Sequence, residues 1–444
     1  SNVLKELLKR GCEPILLHDL AEDAIKEVNK HHGYKFVQRK ISPYKENFKQ
    51  KFYRELISIS RLKYNIGLTD NDSLMDNWNP NKKKARNKFF YFLVESCSSF
   101  ISKKYKRILL LEKLYQKSAY DKLNDVFLKE LNVDAVFCTH QRSVVAIPIV
   151  KAAKSLGIKT YGVIFSWDNL PKARLTVRTD VYLVWSEHMK KEMSLFYSEI
   201  EQNKIVITGT PQFEFYYDKD LIIPKHEFFN KYGLDISKKT ICFSGDDERT
   251  SPHDPKYLND LVVEISKLPE RNQPQILLRR CPVDLSGRFD TIVEKYQKII
   301  KIAAPIWNFD ENYKRNWTLV YPKFEDVSLL INTVKHCDVV LNIGSTMAHD
   351  FAMFKKPAIY INYDVSNSRN WSVNTLYQFE HFKSMGNTQP VYWLNNKESI
   401  IDVLNKTFDS NENSKEIRDG QKWLNLIANN RKEASSNIAN LLIE

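Results

Sequence analysis

What this sequence lacks already narrows its class. No apolar run approaches the roughly 20 residues needed to cross a bilayer, and the longest apolar stretches have the length of single strands. The first residues, SNVLKELLKRG, have the pattern of an amphipathic helix without the apolar centre of a signal peptide. The six cysteines are scattered and form no CxxC pair, which argues against a disulfide framework or a zinc site. We therefore expect a cytoplasmic protein with reduced thiols.

The sequence also offers little for a metal ion. Asp70-Asn71-Asp72 matches an Asp-x-Asp metal-binding pattern, but it lies in a polar stretch between predicted helices and not after a strand. We interpret it as a turn and expect no metal and no other cofactor.

The composition is that of a soluble globular chain with a basic surface. Hydrophobic residues make up 43% of the 444 residues and charged residues 27%, enough for two α/β domains with substantial cores. The formal net charge of +13 favours anionic partners such as nucleic acid, anionic lipid or phosphorylated substrates. Because the sequence contains no recognisable RNA- or DNA-binding module, we expect no nucleic-acid partner.

Positive charge is concentrated in a helical, aromatic-rich region over residues 31–130. Its longest basic run is KKKAR at residues 82–86. Two interpretations stay open. The region is either a helical insertion that packs on its domain, or a basic, aromatic surface that docks on an anionic membrane or a lipid-linked acceptor.

From residue 133 onward, apolar strands alternate with helical segments, which is typical of parallel βαβ winding. We expect an N-terminal Rossmann-like domain over 1–210 that contains the insertion, a linker over 211–237, a C-terminal Rossmann-like domain over 238–410 and a helical tail over 411–444. The predicted strands cover residues 134–140, 158–165, 180–186 and 204–213 in the first half, and 240–244, 275–282, 318–322, 339–341 and 358–361 in the second.

A Gly-Ser-Thr turn carries the strongest functional signal. The apolar run at 339–341 breaks at Gly344, and Ser345 and Thr346 then open a helix. Unpaired N–H groups of the turn, two hydroxyls and the helix dipole together favour an anion, and phosphate is the natural occupant. The alternative is an ordinary βαβ unit in which Ser345 only caps the helix.

Further charged residues follow neighbouring strands. Arg279 and Arg280 end one predicted strand, and Gly245, Asp246 and Arg249 lie in the loop after another. Because α/β proteins bind ligands at the carboxyl ends of parallel strands, we expect these residues at one ligand-binding edge, where Gly245 exposes backbone N–H groups.

Several short segments of the second half resemble a known family. They are LRRCP at 278–282, NIGST at 342–346, Asp350-Phe351 and KPAIY at 356–360. These segments are similar to those of nucleotide-sugar glycosyltransferases of the GT-B fold, closest to the CDP-glycerol glycerophosphotransferase and capsule-type surface polysaccharide transferase branch. The resemblance implies two Rossmann-like domains that face each other across a cleft, with the basic helical insertion in the first and a helix at the C-terminus.

The resemblance also implies roles for individual residues. Arg279, the Ser345 turn and Asp350 would clasp the phosphate and nucleoside of the donor. Cys281 departs from the histidine of those relatives, so the resemblance supports no histidine–phosphate contact at that position.

A metal-free, inverting transferase needs a base that takes the proton of the acceptor hydroxyl. Asp168, in a loop that follows a strand of the first half, is the first candidate, and His140, at the end of another strand, is the second. Trp167 would stack on the acceptor sugar, and Asn169 would hydrogen-bond to it. His381 is interpreted as structural.

We therefore expect a metal-independent glycosyltransferase that moves a sugar from a CMP-, UDP- or similar nucleotide donor to a surface polysaccharide or glycolipid precursor, as in capsule or lipopolysaccharide synthesis. Its basic insertion would bring it to the inner face of the plasma membrane. Two alternatives use the same second domain: a CDP-glycerol-type glycerophosphotransferase and a sugar-nucleotide epimerase of the same fold. Net charge alone suggests a non-enzymatic nucleic-acid scaffold.

Overall fold

Two parallel β-sheets, one in each half of the chain, organise the structure, a computed structural model that describes residues 2–41, 44–173, 175–309, 320–366 and 371–444. In the first half, β1 (Ile15–His18) pairs in parallel with β2 (Val37–Lys40) as a small separate sheet. The main sheet of this half has four strands that pair in chain order and all in parallel. They are β3 (Ala135–Cys138), β4 (Lys159–Val163), β5 (Val181–Val184) and β6 (Ile205–Ile207).

The sheet of the second half has six parallel strands. It starts with β7 (Thr240–Ser244), β8 (Gln275–Arg279) and β9 (Ile300–Ile302). The chain then forms an antiparallel ribbon of β10 (Trp307–Phe309) and β11 (Val320–Pro322). It returns to the sheet with β12 (Val339–Asn342), β13 (Ala358–Ile361) and β14 (Tyr392–Leu394), and the final order is β14-β13-β12-β7-β8-β9.

The α/β alternation expected from the sequence is confirmed, with one local exception. Strands β7 and β12 are buried along their whole length, as central parallel strands are when helices cover both faces. The strand predicted over 318–322 does not join the main sheet. Residues 320–322 pair with β10 because β9 occupies the edge position beside β8, and residues 318–319 lie outside the described residues.

Helices occupy most of residues 48–131, within the part of the chain for which the sequence predicts a helical region over 31–130. Its first long helix begins at a reciprocal cap, in which the Asn47 side chain accepts from the Gln50 N–H and the Gln50 side chain accepts from the Asn47 N–H, both at 2.9 Å. The helices of the first half are α1 (Asn2–Lys9), α2 (Glu22–His32), α3 (Phe48–Thr69), α4 (Ala85–Ile101), α5 (Tyr105–Ser118), α6 (Leu123–Leu131), α7 (Ile147–Ser155) and α8 (Glu187–Phe196).

The last helices of the chain return to the first half and tie the two halves together. Ser435 donates from its N–H (2.5 Å) and its hydroxyl (2.6 Å) to the Glu214 carboxylate, and the Asn429 N–H donates to the Trp185 carbonyl (2.9 Å). The helices of the second half are α9 (Lys225–Tyr232), α10 (Asp254–Ser266), α11 (Asp290–Lys295), α12 (Phe324–His336), α13 (Met347–Met353), α14 (Val373–Tyr377), α15 (Ile400–Phe408), α16 (Lys415–Ile427) and α17 (Ala434–Ile443).

One apolar core runs through both halves. It joins Trp167, Trp185 and Phe213 of the first half to the strands of the second sheet and to Trp423 of α16. Among the described residues, no helix is both long and apolar enough to span a membrane.

Candidate active site

The loop after β4 enters a cluster of rings contributed by the second half. Trp167 packs edge-on against His381 (4.7 Å between ring centroids), His349 (5.0 Å) and Trp423 (5.7 Å), and we call these four residues the seam cluster. Trp167 is 4% exposed, so protein groups enclose its indole. The expected stacking of Trp167 on an acceptor sugar does not fit this placement, because the ring is part of the core.

The two histidines of the seam cluster are neutral. His349 is 1% exposed and neither of its ring nitrogens has a hydrogen-bond partner among the described residues. Burial lowers the pKa of His349 and that of His381 to about 3 each. No local pattern in the sequence points to His349, because its contact with Trp167 joins residues that are far apart along the chain.

Asp168 anchors its own loop. Its carboxylate forms an ion pair with the Lys172 ammonium and accepts a hydrogen bond from the Asn169 amide (2.8 Å). Although burial opposes it, the Lys172 charge holds the pKa of Asp168 well below its usual range. Asn169 is 2% exposed and accepts from the Gln141 amide (2.8 Å), so its expected contact with an acceptor is replaced by a structural one.

His140 is exposed at the carboxyl end of β3. Its ring lies 5.1 Å from the ring of Phe165, which follows β4 and is 59% exposed. Desolvation by its surroundings and the charge of Arg142 lower the pKa of His140 below its usual value. His140 is therefore a neutral imidazole at pH 7, able to accept a proton.

A partly buried arginine, for which no sequence pattern predicted a role, holds the loop after β7. Arg288 donates to the carbonyls of Asp246 and Ser251, both at 2.6 Å, and the Asp246 N–H donates to the Asp254 carboxylate (2.6 Å). Burial raises the pKa of Asp246 to about 6, although the hydrogen bond from the Asp247 N–H and the charge of Arg288 oppose that rise.

Two other residues of this loop lie differently from what was expected. The Gly245 N–H donates to the Arg279 carbonyl (3.0 Å), so this group is not exposed for a ligand. Arg249 is exposed near the outer end of the loop, where its N–H donates to the Asp247 carboxylate (2.9 Å).

Arg279, the last residue of β8, is buried, and Asp350 of α13 is partly buried. The Arg279 guanidinium, 7% exposed, pairs with Asp326 (2.9 Å). Asp350 accepts from the Tyr216 hydroxyl (2.9 Å), and burial raises the pKa of Asp350 to about 6. Each residue therefore has a partner inside the protein, although Nη1 of Arg279 has no hydrogen-bond partner among the described residues.

The Gly344–Thr346 turn has the backbone that was expected. Gly344 has φ of +63°, and a Cβ there would lie 2.7 Å from Leu376 and 2.8 Å from Phe382, so only glycine fits. The Ser345 N–H donates to the Asn342 side chain (3.0 Å). The Thr346 N–H has no partner among the described residues, and its side chain is exposed at the start of the seven-residue helix α13.

Arg280 is the more exposed of the two adjacent arginines at the end of β8. Arg280 is partly exposed, and its nearest carboxylate, Asp290, is 3.9 Å away. Beside it, burial raises the pKa of the Cys281 thiol to about 12, so this side chain is an uncharged thiol. Within the described ranges, no group of three or more His, Cys, Asp or Glu side chains is arranged to hold a metal ion.

The chain matches no protein-family model and no curated protein sequence. Its structure is similar to the crystal structure of a glycosyltransferase from Rickettsia africae, with a TM-score of 0.53 and 13% identity over 100% of this chain and 93% of that one. This likeness shows a shared fold, so the expected fold class, GT-B with two Rossmann-like sheets, is confirmed.

Weaker likenesses were also found. The UDP-GlcNAc 2-epimerase from Methanocaldococcus jannaschii aligns with 77% of this chain and 83% of its own, at 14% identity and a TM-score of 0.46. A wall teichoic acid polymerase aligns with 61% of this chain and 59% of its own, at 15% identity and a TM-score of 0.36. Scores this low support no conclusion about function.

Proposed function

We propose that the chain is a glycosyltransferase that takes a sugar from a nucleotide-activated donor and holds the donor phosphate at the Gly344–Thr346 turn and Arg280. The observation that carries the proposal is this turn: a glycine-only bend with a free N–H and an exposed hydroxyl at the carboxyl edge of the second parallel sheet of a GT-B fold. Because α13 is short, N–H groups, hydroxyls and Arg280 contribute more than a helix dipole. These groups stabilise the negative charge that grows on the leaving phosphate.

His140 is the better candidate for the base. A base must be free to accept a proton, and Asp168 is poorly suited because Lys172 already stabilises its ionised form. His140 is exposed and neutral, as the role requires. We assign Asp168 to positioning the loop between the two halves, and Asp246 to the donor side of the same space.

The donor and the acceptor follow from the sequence resemblance. The similarity of 278–282 and 342–346 to the CDP-glycerol branch favours a cytidine nucleotide, with uridine nucleotides second, and a surface polysaccharide or glycolipid precursor as the acceptor. A glycerophosphotransferase uses the same second sheet and differs in the group it transfers. Product analysis with CDP-glycerol and with nucleotide sugars separates the two and also detects epimerisation.

The acceptor is presented, in this proposal, at an anionic membrane surface. Three phenylalanines of α4, Phe89, Phe92 and Phe100, share one helix face and are 66%, 62% and 60% exposed. Residues 82–107 contain nine basic residues and one acidic residue. Exposed aromatic rings flanked by basic side chains favour the interface of an anionic bilayer.

Thermal unfolding with CMP, CDP, UDP, GDP and ADP tests the donor site. A ligand at about 100 times its dissociation constant adds about 2.7 kcal/mol to the free energy of unfolding. We expect one nucleotide to raise the melting temperature of the wild type and of Arg271→Gln, an exposed control, and to have little effect on Arg280→Gln. If no nucleotide stabilises the wild type, the proposal fails.

A further inference from the structure

A polar cavity of about 410 Å³ lies between the helical insertion and the loops that follow β3 and β4, apart from the Gly344 turn. Its walls come from α3, α4, α5, residues 77–81, Arg142 and the loop between β4 and β5. The volume is within the range of about 300–1,000 Å³ that small-molecule sites occupy. We infer that this cavity binds a neutral sugar unit of the acceptor. That the sugar is part of the acceptor rests on the function proposed above. That the cavity binds a sugar does not depend on that function.

The cavity shares its loops with the candidate active site. Leu175 lines it and is three residues from Lys172, so their Cα atoms are at most about 11 Å apart. Arg142, on another wall, is two residues from His140. A ligand in the cavity therefore lies beside the carboxyl edge of the first sheet, where an acceptor hydroxyl has to meet its base.

The ion pairs of the walls disfavour an anionic ligand. Of the four arginines that line the cavity, three form short ion pairs with glutamates, so a phosphate or carboxylate would have to compete with carboxylates that are already in place. The pairs are Arg54–Glu46 (2.8 Å), Arg54–Glu55 (3.1 Å), Arg61–Glu112 (2.6 Å), Arg61–Glu199 (2.7 Å) and Arg178–Glu112 (2.7 Å).

The remaining wall groups suit a polyhydroxylated, uncharged ligand. The rings of Trp78 and Tyr91 lie 5.9 Å apart and supply apolar surface. Within the described part of the chain, the Ser58 hydroxyl, the Asn79 amide and the Tyr91 hydroxyl have no hydrogen-bond partner, although all three residues line the cavity. Aromatic surface with a few convergent donors and acceptors is the usual lining of a site for a neutral polar molecule.

Saturation-transfer NMR with N-acetylglucosamine, galactose, rhamnose and glucuronic acid tests the inference. We expect transfer to at least one neutral sugar in the wild type, loss of the signal in Ser58→Phe, which fills the cavity, and an unchanged signal in Ser96→Phe, the same substitution at an exposed site of α4. Asn79→Ala, at an exposed loop position, should weaken affinity about five- to tenfold, the value of one lost hydrogen bond.

The outcomes separate this inference from the proposed function. Absence of transfer to every neutral sugar in the wild type, equal signals in Ser58→Phe and Ser96→Phe, an unchanged affinity in Asn79→Ala, or preference for glucuronic acid would each overturn the sugar site. The nucleotide-induced rise in melting temperature, measured on the same samples, stays as in the wild type in all these variants if the donor site is intact. Its absence from the wild type would overturn the proposed function and not the sugar site.

Discussion

Mild acid should destabilise the protein through the buried histidines of the seam cluster, and a substitution of His349 measures the contribution of one of them. His349 is buried with no hydrogen-bond partner in the described residues, and its pKa is lowered to about 3. In the unfolded chain the same imidazole titrates near its ordinary value of about 6.5. Below that pH the unfolded state binds a proton that the folded state does not, so the free energy of unfolding falls as the pH falls toward 3.

The magnitude follows from linkage. At about pH 5 the imidazole is almost fully protonated in the unfolded chain and unprotonated in the folded protein. This difference lowers the free energy of unfolding by about 2 kcal/mol relative to pH 8. This figure depends little on the folded value, since any folded pKa well below 5 gives the same result. His349→Phe should therefore lose about 2 kcal/mol less stability than the wild type when the pH drops from 8 to 5. Any packing strain from the larger ring is present at both pH values and cancels in the difference.

Urea unfolding at the two pH values measures the effect. His226→Phe is the matched control, because its imidazole is 67% exposed, and it should retain the pH dependence of the wild type. The reasoning is refuted if His349→Phe loses as much stability on acidification as the wild type. That result would mean that the imidazole is solvated or protonated in the folded protein.

Three further predictions concern the turn, the buried pair and the insertion. Gly344→Ala should lower the free energy of unfolding by about 2 kcal/mol or more. Gly33→Ala, at a left-handed position with φ of +58° and open space around it, should lose only about 1 kcal/mol, so calorimetry of both variants separates crowding from backbone strain. Arg279→Met should lower the free energy of unfolding by about 3–5 kcal/mol, because it leaves the buried Asp326 carboxylate without its ion-pair partner. Adding Asp326→Asn should restore part of this loss in urea unfolding, and equal stability of the single and double variants would exclude the pair as the cause. Sedimentation with vesicles should show that the protein binds to anionic but not to zwitterionic lipid, and that Phe92→Ser weakens this binding severalfold. Equal binding of the wild type and of Phe92→Ser would contradict the membrane assignment.

Local sequence patterns predicted the strands and the glycine turn because both depend on neighbouring residues. Hydrophobic runs of strand length marked β7 and β12, and Gly344 lies at a bend whose positive φ favours glycine. The choice between Arg279 and Arg280 could not be made in this way. Adjacent residues at a strand end point to opposite sides, and the partner that draws Arg279 inward comes from a distant helix.

The contacts of the seam cluster could not be predicted from the sequence for a related reason. Trp167 looked like a surface ring in a loop, but it is enclosed by rings from more than 180 residues away along the chain. The Asp168–Lys172 ion pair lies in a turn, where a spacing of four residues does not by itself predict contact, so the sequence could not identify Asp168 as an ion-paired group.

A crystal structure of the protein with the nucleotide that stabilises it most would test the donor site directly. We expect the phosphate within hydrogen-bond distance of the Ser345 or Thr346 hydroxyl and the Thr346 N–H, with the Arg280 guanidinium turned toward it. A phosphate bound elsewhere, or a nucleotide that leaves the Gly344–Thr346 turn untouched, would contradict the assignment of this edge as the donor site.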